Sequence, residues 1–314
     1  MTRYLVRRTL QAVVVLAGVS VAVFSIIHLV PGDPVRLALG TRFDQDTYDA
    51  LVARSGLDRP LVEQYLTWLG NALTGDLGVS FRSGRPVTDV IVERLPATVS
   101  LAGGAIVVAL AMALPLGLAS ALRPRSALDG AATLASQAGI SIPDFWLGIM
   151  AVLVFSLTLG WLPSSGYVGL TDDPLEWARH LALPALVVGT GSGAILTRFV
   201  RSSALEALGQ DHTRTARAKG LPRRLVIRRH VLRNALVPVV TVTGIQLAYL
   251  LSGVVVVEVV FAWNGLGLLA LQAVESRDYP LLQGAVLLFA LFFLLVNLAV
   301  DVLYAALDPR IARR

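Results

Sequence analysis

Cysteine is absent from this chain of 314 residues, which excludes disulfide bonds, thiolate metal sites and cysteine nucleophiles. Charged residues are scarce, at 15% of the sequence against 55% hydrophobic residues, whereas soluble domains carry about 25% charged residues. The G-x-x-x-x-G-K-[ST] phosphate loop does not occur, so the chain is not expected to hydrolyse ATP itself. These shortages favour a membrane protein without its own nucleotide chemistry.

Long apolar runs predict an all-α membrane protein with six transmembrane helices, since about 20 apolar residues cross a bilayer as a helix. The first run follows three arginines, as a signal peptide would. It is longer than the apolar core of a usual signal peptide and has no small-x-small cleavage site before Pro31, so we interpret it as a retained span. The six predicted spans are residues 10–30, 99–122, 131–159, 181–199, 237–260 and 279–304.

Residues 31–97 are too polar to span a membrane and too apolar to be disordered, so we expect a small extracytoplasmic element after the first span. Residues 160–180 and 261–278 are predicted to be outer loops, the former with a short surface helix. The chain then divides into an amino-terminal end with the first span, the extracytoplasmic segment, a five-helix core and a cytoplasmic tail. The corresponding ranges are 1–30, 31–97, 98–310 and 311–314.

The distribution of basic residues predicts that both termini lie in the cytoplasm. Eighteen of the 27 Lys and Arg fall at the amino terminus, at 123–125, in 198–233 and in the carboxy-terminal tail. Residues 31–96 instead carry 7 basic and 9 acidic residues. Because cytoplasmic loops are enriched in Lys and Arg, this arrangement explains the net charge of +6 without a nucleic-acid partner.

The strongly basic stretch 211–238 predicts two helices that meet at a turn. Ala216 and Ala218 favour a first helix, and Gly220 is the residue type that ends a helix with φ > 0. Pro222 can open the next helix. A solvated basic loop that merely follows the positive-inside rule is the simpler alternative.

Three of the polar side chains within the predicted spans are candidate functional residues. Pro143 is expected to kink the third span beside Asp144, and the fifth span contains Gln246 and Glu258. An ionisable group at membrane depth is a candidate functional group, with the stabilisation of a broken helix as the alternative role. The glycine-rich residues 189–193 follow no strand, so we interpret them as a surface for close helix packing and not as a dinucleotide motif.

The strings TARAKG at Thr215 and RHVLRNALVP at Arg229 resemble the EAA loop of ABC importer permeases, in the version carried by the oligopeptide and dipeptide permease family. The loop keeps the Ala, Gly and Leu of the general pattern at Ala216, Gly220 and Leu232 and departs from it at Arg214, Thr215, His230 and Arg233. Further landmarks of that family are PGDP, GDLGVS, SIPDFWLG, RDYP and a final DPR. One span followed by a long outer segment is similar to the B-type subunit.

The resemblance implies a type I ABC importer permease fold in the inner membrane of a prokaryote. It implies a second, C-type permease as heterodimeric partner, one or two cytoplasmic ABC ATPases that hold ATP and Mg, and an extracytoplasmic binding protein that docks on the outer segment and loops. The cargo stays open between dipeptides, longer peptides, nickel chelates and haem. Residues 201–235 become the ATPase-coupling loop, with contacts at Asp211, Arg214, Thr215, Ala216, Arg217, Ala218, Lys219, Gly220, Leu221, Arg229, His230, Leu232, Arg233 and Asn234.

Two other functions are considered. An ion-coupled secondary transporter would use Asp144 and Glu258 to carry the coupling ion. An intramembrane serine protease would need a histidine on a span near an activated serine, whereas three of the four histidines fall outside the predicted spans.

Overall fold

The computed structural model describes residues 2–29, 32–40, 43–56, 58–251 and 255–307. Their helices are α1 (Thr2–Leu29), α2 (Pro34–Leu39), α3 (Gln45–Ser55), α4 (Leu61–Leu73), α5 (Val87–Leu122), α6 (Ala127–Ser141), α7 (Asp144–Ala151), α8 (Pro174–Gly209), α9 (Asp211–Ala218), α10 (Arg223–Val226), α11 (Leu232–Leu251), α12 (Val255–Val260), α13 (Leu266–Glu275) and α14 (Tyr279–Leu307). The π-helical stretches Val152–Thr158 and Ile227–Val231 extend α7 and join α10 to α11. Within these ranges the β pairing is a single bridge between Val79 and Pro86.

The helices supply the six predicted spans when one bent pair is counted as a single span. Five are continuous: α1, α5, α8, the joined α10–α11 and α14. The sixth is α6 with α7 and its π extension, bent by 99°. We expected Pro143 to kink one helix, but it separates two, because a residue before proline is driven out of the helical region and Ile142 has φ −79° and ψ 124°.

Several helices begin or end away from the apolar runs. Helix α5 begins at Val87, twelve residues before its apolar run. The expected surface helix within 160–180 is the first part of α8, which begins at Pro174. The Asp173 carboxylate accepts hydrogen bonds from the first backbone N–H groups of α8. Capping side chains determine where such helices start, and these starts cannot be predicted from hydropathy alone.

Small residues let α5 and α8 approach closely. A Cβ atom on Gly189 would lie 2.7 Å from the Val108 side chain, and one on Gly193 would lie 3.2 Å from the Cα atom of Ala109. Ala105 and Ala109 are fully buried in this contact. The packing interpretation of residues 189–193 is therefore confirmed.

The segment between the first two spans is helical and packs on α1. The Tyr65 hydroxyl of α4 lies 2.9 Å from the Ser20 hydroxyl, and the Phe24 ring contacts the rings of Tyr65 and Trp68. Asp33 caps α2 through two backbone N–H groups and accepts a hydrogen bond from the Tyr48 hydroxyl. Partial burial raises the pKa of Asp33, but these hydrogen bonds outweigh it and leave the pKa below its ordinary value.

The first and last helices share one end of the bundle. Arg8 of α1 forms an ion pair of 3.2 Å with Asp301 of α14. At the opposite end, the Asp278 carboxylate before α14 accepts a hydrogen bond from Ser80, shortly before α5. The far end of α5, the end of α8 and α9 therefore lie at the same end as Arg8 and Asp301. The predicted tail, residues 311–314, lies outside the described residues.

The predicted fifth span, residues 237–260, includes α11 up to Leu251 and α12 from Val255, with residues 252–254 outside the described part of the chain. Gln246 lies in α11 and is half-buried, and Glu258 lies in α12 and is 1% exposed. The outer segment 261–278 contains the ten-residue helix α13, whose preceding Trp263 is fully buried. Both residues therefore lie on helices within the predicted fifth span, and Glu258 is the buried one of the two.

A basic helical turn and two buried carboxylates

The predicted turn at Gly220 is present and complete. Gly220 has φ +75°, and its N–H donates to the Arg217 carbonyl at 2.9 Å, while the Leu221 N–H donates to the Ala216 carbonyl at 3.3 Å. This pair of hydrogen bonds defines a Schellman motif, which ends a helix with a left-handed residue. The second helix is longer than expected, since it continues from Arg223 through α11 to Leu251.

Helix α9 is held rigidly against the end of α8. Thr213 is fully buried and its hydroxyl donates to the Ala207 carbonyl at 2.7 Å. Ala216, one turn later, is 4% exposed. The opposite face of α9 and its turn, with Arg214, Arg217 and Lys219, is exposed. The result is a short basic helix whose inner side is fixed and whose outer side is exposed within the described part of the chain.

The predicted coupling residues divide between four places. Asp211, Arg214, Thr215, Ala216, Arg217 and Ala218 lie in α9; Lys219, Gly220 and Leu221 form the turn; Arg229 and His230 lie in the π-helical stretch; Leu232, Arg233 and Asn234 begin α11. Ala216 and Ala218 were expected to allow a partner to approach closely. Only Ala218 can do so, because Ala216 packs inside this chain.

A hydrogen-bonded group joins α9 to the start of α11. The Asn234 side-chain amide donates to the His230 carbonyl at 2.9 Å and lies 2.8 Å from Nε2 of His212. Nε2 of His212 also lies 3.3 Å from that carbonyl. The two helices on either side of Gly220 are therefore connected by polar contacts as well as by the turn.

An ion pair beside this region was not predicted from the sequence. Arg201 of α8 donates to Asp129 of α6 through Nε at 2.7 Å and through a terminal nitrogen at 3.0 Å. Asp129 also accepts hydrogen bonds from the Ser120 hydroxyl and the Arg125 N–H. This cluster fixes the ends of α5, α6 and α8 to one another. Its only sequence signal is a carboxylate and an arginine at the edges of apolar runs.

The Glu258 carboxylate caps helix α13. It accepts a hydrogen bond of 2.6 Å from the Leu268 N–H, and the glycines at 265 and 267 leave the space it occupies, since a Cβ on Gly265 would lie 2.2 Å from Oε1. A carboxylate at a helix N-terminus is stabilised by the unpaired N–H groups and the helix dipole. This arrangement is the one that the alternative role of Glu258, the stabilisation of a broken helix, predicts.

Outer loops from distant parts of the chain converge. The Gly166 N–H donates to the Phe261 carbonyl at 2.9 Å, and the rings of Tyr167 and Trp263 stack edge to face at 4.9 Å. Trp263 also donates its indole N–H to the Ala97 carbonyl at 2.9 Å. The two predicted outer loops therefore form one surface with the start of α5.

Asp278 fixes a third outer loop. Its carboxylate, 1% exposed, accepts hydrogen bonds from the Ser80 hydroxyl and from the N–H groups of Phe81 and Arg82. Beside this loop lies a cleft of about 580 Å³ that includes Arg82, Arg85 and Glu275 in its lining. Asp278 was part of the RDYP landmark, but its partners, about 200 residues earlier, are evident only in the fold.

Asp144, a predicted pathway residue, has no hydrogen bond or ion pair within the part of the chain that the structure describes. It is half-buried at the first position of α7 and faces Gly191 of α8. Among the described residues, no hydrogen bond or ion pair joins it to Gln246 or Glu258.

The six-span bundle with a projecting basic helical turn is the architecture of a membrane transport component. The inward-facing MetNI methionine ABC transporter has a similar fold, with a TM-score of 0.56 and 20% identity over 70% of this chain and 96% of that chain. An amino acid ABC transporter crystallised with histidines gives a TM-score of 0.51 and 15% identity over 71% of this chain and 94% of that chain. At these identities the likeness shows the fold, and the type I ABC importer permease fold is confirmed.

The chain belongs to the family of binding-protein-dependent transport system inner membrane components. Residues 113–313 match the model of that family, and residues 1–102 match the model of its N-terminal region. The oligopeptide transport system permease protein AppB of Bacillus subtilis is 40% identical over 314 residues, covering 99% of both chains. The glutathione transport system permease protein GsiC of Escherichia coli K12 is 42% identical over 311 residues, again covering 99% of both. The chain is therefore a multi-pass inner-membrane permease, and the comparisons do not support the ion-coupled alternative.

Proposed function

We propose that this chain is the B-type permease subunit of an ATP-driven importer of peptides. Relatives that match it end to end are named for oligopeptide and glutathione transport, and both cargoes are peptides. A C-type permease would complete the pathway, and an extracytoplasmic binding protein would deliver the cargo. ATP hydrolysis would take place on one or two separate cytoplasmic ATPase subunits.

The exposed face of α9 would contact the ATPase. The observation that carries this proposal is the combination of a fixed inner face, at Thr213 and Ala216, with an exposed basic outer face at Arg214, Arg217 and Lys219. A helix fixed in this way transmits displacement, whereas a flexible loop would absorb it. This assignment places α9, together with the ends that carry Arg8 and Asp301, in the cytoplasm.

The converged outer loops would receive the binding protein. Their surface combines the loops joined by Gly166 and Phe261 with the loop that Asp278 holds at Ser80. Charged side chains beside the cleft, such as Arg82 and Glu275, offer polar contacts of the kind that steer association.

The test is ATPase activity in lipid nanodiscs, measured for the chain alone and after co-expression with a second permease and ATPase subunits, with and without peptide-loaded binding protein. We expect activity only in the assembly, with stimulation by the loaded binding protein. If the ATPase surface complements the basic face of α9, Arg217→Glu should weaken ATPase association by about tenfold or more, because it would then place like charges across the interface. Arg123→Glu, exposed just after α5 and outside residues 201–235, is the control of equal charge change. Peptide uptake by the chain alone under an ion gradient would contradict the proposal.

A further inference from the structure

Helix α4 contacts the first span at two depths. The Tyr65 hydroxyl lies 2.9 Å from the Ser20 hydroxyl, and Oε1 of Gln64 lies 3.1 Å from Nε2 of His28. Ser20 and His28 are eight residues apart on α1, which corresponds to about 12 Å along the helix axis. The Gln64 side of α4 therefore faces the Leu29 end of α1, and the Tyr65 side faces the interior of the span.

The contact of Tyr65 with α1 lies at membrane depth. Ser20 and Phe24 both belong to Val6–Ser25, the part of α1 that is long and apolar enough to cross a membrane. The Phe24 ring contacts the rings of Tyr65 and Trp68, with 5.3 and 5.8 Å between the ring centroids. Tyrosine and tryptophan are enriched at the boundary between lipid and water. Helix α4 therefore packs on α1 near this boundary, and its Tyr65 side faces the membrane interior.

The exposed side chains of α4 separate into an apolar side and a polar side. Residues three or four apart share a face of an α-helix, so Leu69 lies beside Tyr65, and Thr67 lies beside Gln64. The apolar side, next to Tyr65 and Leu69, consists of side chains that are 72%, 61% and 79% exposed: Val62, Leu66 and Leu73. The polar side, next to Gln64, consists of the exposed residues Glu63, Thr67 and Asn71.

The direction of this polarity matches that of a membrane surface. Exposed apolar patches mark contacts with a protein or a membrane. A helix that lies in a membrane interface turns its apolar side to the acyl chains and its polar side to water. The contacts at Ser20 and His28 give α4 this same orientation, and they do so independently of the polarity of its exposed side chains. A protein partner would require no such alignment.

We propose that α4 lies in the boundary between lipid and water, with its apolar side among the acyl chains and its polar side in the aqueous phase. The polar side borders a cleft of about 450 Å³ whose lining also includes Phe81, in the loop that Asp278 holds. The lipid surface thereby supports this loop through α4. The inference rests on α1 crossing the membrane and not on the cargo or the partner subunits.

The two sides of α4 can be compared with nitroxide labels on single cysteines, because the chain has no native cysteine. Leu66→Cys and Thr67→Cys are a matched pair, adjacent in the chain and both exposed. Each labelled full-length chain is placed in lipid nanodiscs, alone and in the assembled importer. The label's collisions are then measured with oxygen, which concentrates among acyl chains, and with a nickel chelate, which stays in water.

We expect the label at Leu66→Cys to collide more often with oxygen than with the nickel chelate, and the label at Thr67→Cys to show the reverse. Leu73→Cys and Asn71→Cys should repeat this difference one to two turns further along α4. Equal collision with the nickel chelate at Leu66→Cys and Thr67→Cys would overturn the proposal, because the apolar side would then lie in water. Protection of Leu66→Cys from both reagents would also overturn it, because protein and not lipid would then cover this side.

A second measurement is hydrogen exchange of the backbone amides of residues 61–73 in nanodiscs. Leu66→Glu should raise their exchange rate by roughly fivefold or more, because a charge that is unfavourable in lipid favours local opening of the helix. Thr67→Glu is the control of equal charge change on the polar side, and it should leave the rate unchanged. Equal exchange rates in the two variants would contradict the assignment of the two sides. Both measurements can be made on the chain alone, so failure of the importer to assemble or transport leaves them decisive.

Discussion

Replacement of Gly220 is the sharpest test of coupling, because its cost can be assigned to one cause. Gly220 has φ +75°, and a Cβ atom there would meet nothing within 4 Å. Gly220→Val therefore introduces no clash with other side chains. Its cost is the left-handed backbone, about 1–2 kcal/mol for an L-residue, and a β-branched residue belongs at the upper end of that range.

A cost of about 2 kcal/mol lowers the population of the formed turn by roughly thirtyfold relative to open alternatives. The hydrogen bonds of Gly220 and Leu221 to α9 would open together. We expect Gly220→Val to insert normally in the membrane, and to lose most peptide uptake and most stimulation of ATPase activity by the loaded binding protein.

Two variants define the cause. Gly220→Asn should retain most activity, because asparagine adopts the left-handed conformation more readily than other residues with a side chain. Gly209→Val is the matched control: it lies in α8 just before α9, also has no neighbour within 4 Å, and does not have a positive φ. Wild-type uptake by Gly220→Val, or equal losses in all three variants, would refute the reasoning.

Two buried carboxylates give further predictions. Glu258→Gln should retain transport, because the amide oxygen can still accept the hydrogen bond of the Leu268 N–H group. Glu258→Ala should lower the free energy of unfolding by about 2 kcal/mol, because it leaves that N–H group unsatisfied. Loss of transport in the Gln variant with normal stability would instead indicate proton coupling. Asp278→Ala removes the carboxylate that accepts three hydrogen bonds from residues 80–82. Protease should then cleave that loop faster and the binding protein should dock more weakly, both measured on nanodiscs. An unchanged protease pattern would contradict the assigned role of Asp278.

Periodicity and turn chemistry were enough to predict the spans and the turn at Gly220, because both depend on neighbouring residues. A single glycine and proline determine where α9 ends and α10 begins. The contacts of Asp278 with residues 80–82 and of Arg201 with Asp129 join residues that are far apart in the chain. The sequence near each residue gives no sign of such a pair. The sequence therefore shows only that these are polar side chains at the ends of apolar runs, and not which of them bind each other.

These contacts connect the proposed coupling turn to the break between α6 and α7. Thr213 ties α9 to Ala207 of α8, and Arg201, two turns earlier on α8, is bonded to Asp129 at the start of α6. A displacement of α9 must therefore move α8 and the start of α6 together. Beyond the break at Pro143, α7 has no continuous helical connection to α6. We expect the motion to be taken up at this break, which places the change of geometry beside Asp144 at the start of α7.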